Sequence, residues 1–173
     1  MYWYILFVNT GREHKVERIL KERLDAELFL PFVPLFEKLF KISGAVKKEL
    51  VPLFPGYVFV ESKVPGQVFI KLINSKINDI YDLIKILKYS DTEIAMRDSE
   101  RQMLMSLCNG EHCIESSRGV ISGDKIHITS GALKGLETIV RKVNRHKRLA
   151  WIGMEFMGEM RLVKIALEIV EKV

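Results

Sequence analysis

The chain has 173 residues, 48% hydrophobic and 28% charged, a globular composition with enough length for one medium domain or two small ones. Its formal charge of +5 arises after Ser117, where eleven Lys and Arg residues outnumber six Asp and Glu residues, whereas 16 and 16 cancel before that point. This asymmetry indicates a nucleic-acid contact at one end. The absence of an apolar run of about 18 residues and of a signal-peptide pattern predicts a cytoplasmic protein without a membrane partner.

Strands and helices alternate in the first part of the chain, which predicts an α+β fold in which helices pack on a sheet. The predicted elements are a central strand at 3–8, a helix that begins with a T-x-x-E capping box at Thr10 and Glu13, an edge strand within 28–42, a hairpin tip at 43–48, a strand at 57–61, a helix opened by Pro65, a strand at 80–87 and a helix from Asp98 or Ser99 to Leu107. A helix is the alternative at 80–87.

A polar stretch at 109–118 predicts a linker between a first domain, 1–108, and a second domain, 119–173. Cys108 and Cys113 lie at this stretch, where too few ligands cluster for a metal site. We interpret them as free thiols and expect no cofactor and no metal.

The second domain is predicted to be all-β, with strands at 125–129, 137–143 and 149–156, one or two more after Arg161, and a candidate bulge at Gly153. About five short strands in a segment of this size predict a small barrel. The tail also fits a helical face, but Val163, Ile165 and Leu167 alternate, which favours a strand.

No catalytic motif of the G-x-S-x-G, P-loop, G-x-G-x-x-G or H-E-x-x-H kind occurs, and the four histidines are scattered, so we expect no enzyme. The strongest chemical feature is R-K-V-N-R-H-K-R at 141–148, which contains five permanent cations and no acid. On a β-hairpin, such a cluster meets several phosphates and releases counterions. The candidate RNA-binding residues are Lys134, Arg141, Lys142, Arg145, His146, Lys147 and Arg148.

Two alternatives accompany this basic segment. It could be a solvated hairpin with no ligand, since charge runs are often plain surface. Arg161 and Lys164 are candidates to extend the patch, and Trp151 could either stack on a base or occupy a core position.

The second feature is the apolar segment L-F-P-G-Y-V-F-V at 53–60. Tyr57 and Phe59 share one face of the predicted strand, and Val58 and Val60 share the other. An exposed aromatic face would be a protein-docking site; the alternative is that both faces are internal.

At these residues the chain resembles the NusG family of transcription elongation factors. Four features carry the resemblance, which covers nearly the whole chain: W-Y at 3–4 with T-G at 10–11, L-F-P-G-Y-V-F-V at 53–60, the KOW-like G-D-K-I-H-I-T-S-G-A-L-K-G-L-E at 123–137, and L-E-I-V at 167–170.

The resemblance implies an NGN-type α/β sandwich, with an antiparallel sheet and helices, followed by a five-stranded SH3-like KOW β-barrel on a flexible linker. It implies that the first domain docks on the clamp region of RNA polymerase through Phe7, Phe54, Tyr57 and Phe59, as a monomer, and favours processive elongation.

The basic hairpin looks closer to the specialised antitermination paralogue LoaP than to the housekeeping form. That likeness implies a nascent RNA hairpin as the second partner, bound by the KOW domain. The alternatives are a general elongation factor whose KOW domain binds ribosomal or termination proteins, and a ribosome-associated RNA-binding protein that never meets polymerase.

Overall fold

The computed structural model describes residues 1–173, which divide into two units: 1–34 with 54–101, and 35–53 with 102–173. The elements in chain order are β1 (Tyr2–Val8), α1 (Glu13–Arg23), β2 (Phe29–Phe32), β3 (Leu35–Ile42), β4 (Ala45–Pro52), β5 (Tyr57–Ser62), α2 (Gly66–Ile77), β6 (Leu83–Ile86), α3 (Asp98–Leu107), β7 (Cys113–Ile114), β8 (Ser117–Ser122), β9 (Lys125–Ser130), a 3-10 turn (Glu137–Ile139), β10 (Val140–Asn144), β11 (Leu149–Phe156) and β12 (Glu159–Lys172). The fold is therefore a mixed one, with three helices and several sheets. None of the helices is long and apolar enough to cross a membrane.

The first unit is built on an antiparallel sheet of order β2-β5-β1-β6. As predicted, β1 is internal, and Trp3, Tyr4, Ile5 and Leu6 are all buried because both faces of the strand are covered. Tyr4 stacks on Phe69 of α2 with ring centroids 3.7 Å apart, which anchors that helix to one face of the sheet.

The predicted capping box at the start of α1 is wrong. The helix begins at Glu13, and no side chain caps it. The Glu13 carboxylate is buried and instead accepts hydrogen bonds from the backbone amides of Gly11, at 3.1 Å, and Gly56, at 2.7 Å. It therefore ties the helix start to the turn before β5, a long-range partner that local spacing does not encode.

The predicted edge strand within 28–42 is two strands, of which β2 lies at the edge of the first sheet. The other strand, β3, pairs with β4 in a hairpin of the second unit and runs parallel to β7. Its turn is confined to Ser43 and Gly44, both at positive φ, so the rest of the predicted tip, 45–48, is strand.

The second unit also contains a five-stranded sheet of order β10-β11-β12-β8-β9. The tail is a strand, and the helical alternative is wrong: β12 pairs antiparallel with β11 over its first half and parallel with β8 over its second. Val163, Ile165 and Leu167 are buried, whereas Leu162 is 62% exposed. Period-two burial of β-branched and large apolar side chains explains this outcome.

The candidate bulge at Gly153 is also wrong, since Gly153 pairs regularly with Leu162. The register shift lies on the neighbouring strand, between Val140 and Lys142. The predicted linker contains β7 and the first residues of β8. The division into domains 1–108 and 119–173 stays a prediction.

Candidate nucleic-acid interface and aromatic surface

The tip of the β10–β11 hairpin is a four-residue loop, 145–148, between paired Asn144 and Leu149. The Asn144 side-chain oxygen accepts a hydrogen bond from the Lys147 backbone amide at 3.0 Å, a turn that asparagine forms readily. The Arg148 amide donates to the Arg145 carbonyl at 3.2 Å, and Arg148 closes the loop at a φ of 53°. The local sequence thus specifies a tight turn that displays its side chains outward.

The cations of this loop are not equivalent. Arg145, His146 and Lys147 are exposed, and no carboxylate lies within ion-pairing distance of them. Arg148 is partly buried, and its Nε lies 3.9 Å from Oε1 of Glu168, whose other oxygen pairs with Arg118 at 3.3 Å. The predicted set therefore contains three open groups and one whose charge is already partly offset.

The bulge in β10 brings Arg141 beside Lys142. Arg141 lies against Gly153, where an added Cβ would come within 3.2 Å of Arg141 Nε, and its guanidinium donates to the Thr138 carbonyl at 2.6 Å. The Lys142 ammonium sits 5.0 Å from the ring centroid of Trp151. Both cations therefore extend the basic surface from the tip along the strand.

The remaining predicted cations divide between locations. Lys134 is exposed in the loop after β9, and no hydrogen bond or ion pair joins it to the hairpin. Lys164 pairs in register with Trp151, whereas Arg161 pairs with Met154 and lies over the Phe156 ring at 4.8 Å. Of the two proposed extensions, only Lys164 shares a row with Trp151.

The aromatic set of the first unit also divides by exposure. Phe7 and Tyr57 are cross-strand partners, half-buried, with ring centroids 5.5 Å apart. Phe54 is 5% and Phe59 0% exposed, and their rings stack at 5.9 Å. The expectation that all four offer rings to a partner is therefore corrected: Phe54 and Phe59 lie in the core, with Phe59 also packed on Trp3.

The position of Tyr57 depends on the turn that precedes it. Gly56 has a φ of 91°, and an added Cβ would lie 3.3 Å from Thr10 Oγ1 and 3.4 Å from the Phe7 ring. Glycine is favoured at such a position. Together with the Glu13 hydrogen bond to this amide, the turn holds Tyr57 beside Phe7. Sequence reasoning missed this supporting role of Glu13, for which only an acidic residue near the helix start was visible.

The two cysteines are unreactive in this setting. Burial, and secondarily the neighbouring Cys113, raises the pKa of the Cys108 thiol to about 12, and burial also raises the pKa of Cys113. A thiol with so high a pKa is a poor nucleophile and metal ligand at neutral pH. His, Cys, Asp and Glu side chains do not gather in any group of three that could hold a metal ion.

These observations define a two-unit chain with an aromatic surface on one unit and a basic hairpin on the other. The protein-family model described as "Transcription termination factor nusG" matches residues 1–105. The chain therefore belongs to the NusG family, which comprises transcription factors that act on elongation and termination.

The structural comparisons agree in fold. The structure described as "Domain interaction in Thermotoga maritima NusG" has a TM-score of 0.56 and 19% identity, and covers 97% of this chain and 93% of its own. Two conformations of the MjSpt4:Spt5 complex, B and A, have TM-scores of 0.35 with 13% and 14% identity, and cover 95% and 96% of this chain and 98% and 99% of theirs. Among curated proteins nothing matches.

Proposed function

We propose that this protein is a processive antitermination factor that docks on RNA polymerase with its first unit and binds a nascent RNA hairpin with its C-terminal basic hairpin. The observation that carries the RNA half is the loop 145–147, whose side chains are exposed and have no carboxylate partner. Such a loop attracts phosphates without first breaking an internal ion pair.

The polymerase half rests on family membership and on the Phe7–Tyr57 pair. A half-exposed aromatic pair supplies a large contact area with little side-chain entropy to lose, which is typical of interface hot spots. The Gly56 turn and the buried Glu13 carboxylate hold this pair in place before any partner binds.

The proposal includes closure of the five-stranded sheet into a KOW barrel. Two features support closure. The 3-10 turn at 137–139 contacts both β9 and β11, and the Glu137 carboxylate accepts a hydrogen bond from the Ile128 amide of β9 at 3.1 Å. The β9 edge is thus linked to the connection that leads into β10, the other edge of the sheet.

The likeness to LoaP belongs to the same proposal. It rests on the resemblance of the basic tip to that of LoaP, since the housekeeping form usually has a mixed or acidic hairpin there. The proposed factor acts in the cytoplasm as a monomer, and has neither enzymatic activity nor a cofactor.

Two assays on the full chain test the proposal. Purified RNA polymerase is bound to wild-type protein, to Tyr57→Ala and to Tyr81→Ala, a matched control because Tyr81 is 91% exposed in the same unit. We expect Tyr57→Ala alone to weaken binding. Transcription through a terminator, with and without an upstream stem-loop leader, then measures readthrough, which we expect to rise only with the leader. Equal readthrough on both templates would refute antitermination through RNA.

A general elongation factor whose C-terminal unit binds a protein is the second candidate. It is favoured by the 66% exposed Met160 and the 62% exposed Leu162, an apolar pair better suited to a protein than to phosphates. Binding of ribosomal or termination proteins together with absence of RNA binding would establish this candidate in place of the first.

A further inference from the structure

The strand register builds a row of three side chains outside the basic loop. Lys142 of β10 pairs with Trp151 of β11, and Trp151 pairs with Lys164 of β12. Directly paired residues of neighbouring strands point to the same face of a sheet. The indole therefore lies between two lysines, one of which already sits 5.0 Å from its ring centroid.

This row lies on the outer face of the sheet. Ala150 and Ile152, the chain neighbours of Trp151, are 0% exposed and form the core face, so Trp151 alternates away from the core. Trp151 is itself only partly buried, and Lys142 and Lys164 are exposed. The core does not need an indole at this position, and the alternative that Trp151 is a core residue is wrong.

The row is continuous with the cations of the hairpin. Lys142 is two residues from Asn144, where the loop begins, a distance of about 7 Å along a strand. Arg141 is held on the same side by its contact with Gly153. The nearest acid in the outward series of β11 is Glu155, four residues or about 13 Å from Trp151. The indole thus stands in a locally cationic strip.

An aromatic ring flanked by cations suits one form of nucleic acid in particular. A duplex hides the faces of its bases, whereas an unpaired nucleotide offers a face to an aromatic ring and its phosphates to adjacent cations. We propose that Trp151 stacks on an unpaired base of the bound RNA, with Lys142 and Lys164 contacting the flanking phosphates. This inference rests on the proposed RNA binding and specifies a single-stranded loop as the element that is recognised.

The experiment uses the full chain and three fluorescently labelled RNAs: a stem-loop, its stem closed as a blunt duplex without a loop, and a single-stranded oligouridine. Trp151→Leu keeps apolar bulk without a ring, and Trp151→Phe keeps a ring. We expect Trp151→Leu to weaken stem-loop and oligouridine binding about ten-fold, as loss of one stacked base does. Trp151→Phe should retain most of the affinity, and duplex binding should be unchanged by either substitution.

Intrinsic fluorescence gives a second readout in unmodified protein. The other tryptophan, Trp3, is 1% exposed and donates a hydrogen bond to Glu61 at 2.7 Å, so RNA should quench Trp151 alone. Trp151→Phe supplies the background signal. RNA binding without quenching, or with equal affinity for Trp151→Leu, would overturn the stacking proposal and leave RNA binding intact. Failure of the wild-type protein to bind any of the three RNAs would overturn the proposed function as well.

Discussion

Replacing Arg145 and Lys147 together by alanine removes two exposed cations that have no carboxylate partner. If both contact phosphates, the logarithm of RNA affinity should fall less steeply with the logarithm of salt concentration. Each lost contact reduces the slope by about 0.7 to 0.9, so the double variant should lose about 1.4 to 1.8 in slope. Its deficit in affinity should be largest at low salt and should shrink as salt rises.

The same measurement separates Arg148 from its neighbours. Glu168 already offsets part of the Arg148 charge, so Arg148→Ala should change the slope by less than about 0.7. The assay is fluorescence anisotropy of a labelled RNA stem-loop titrated with full-length protein between about 50 and 200 mM salt. Lys63→Ala with Lys71→Ala is the matched control, because it removes the same net charge from exposed positions of the other unit. Parallel salt lines for Arg145→Ala/Lys147→Ala and wild type, or an equal loss in the control, would refute the assignment of phosphate contacts to the loop.

Three further predictions concern the first unit. Phe59→Ala should lower the free energy of unfolding by about 3 to 5 kcal/mol, measured by urea denaturation, because it opens a cavity in the core; a loss below about 1 kcal/mol would place Phe59 outside it. Glu13→Ala should cost about 1 to 3 kcal/mol in the same assay, since the buried Gly56 amide loses its acceptor, and Glu13→Gln should recover part of this; equal losses would argue against the hydrogen bond. Hydrogen bonds from Lys15 and Asn9 lower the pKa of Asp82, so its contribution to stability is present above the unfolded-state pKa of about 3.9 and is lost as pH falls through the lower folded-state value. Melting temperatures between about pH 2 and 5 should therefore drop less steeply for Asp82→Asn than for wild type, and identical profiles would contradict this linkage.

Most elements of the fold could be predicted from local patterns. The helix with Val16 and Leu20 on its buried side and the alternating tail with Val163 and Ile165 are confirmed, because burial in each follows the repeat of its secondary structure. The misplaced bulge has the opposite cause. Glycine permits a bulge, but the register between two strands decides which strand carries it, and here the extra residue is Arg141.

The candidate site divides in the same way. The residues of the basic loop were predicted because a turn of short-range contacts displays whatever charges it contains. The burial of Phe54 and Phe59 was not predictable from the segment, since period two assigns residues to faces without indicating what covers each face. The Phe7–Tyr57 pair likewise depends on the register of β1 against β5.

The sequence by itself determined the kinds of element, the cationic loop, and the segment 53–60 that carries the family resemblance, since all of these follow from neighbours close along the chain. Only the tertiary structure decided that Glu13 binds the turn before Tyr57 rather than capping its own helix, that Glu168 offsets Arg148, and that Trp151 stands between two lysines. Each of these contacts joins residues distant along the chain, and its energy exists only once strand register and packing have brought the partners together.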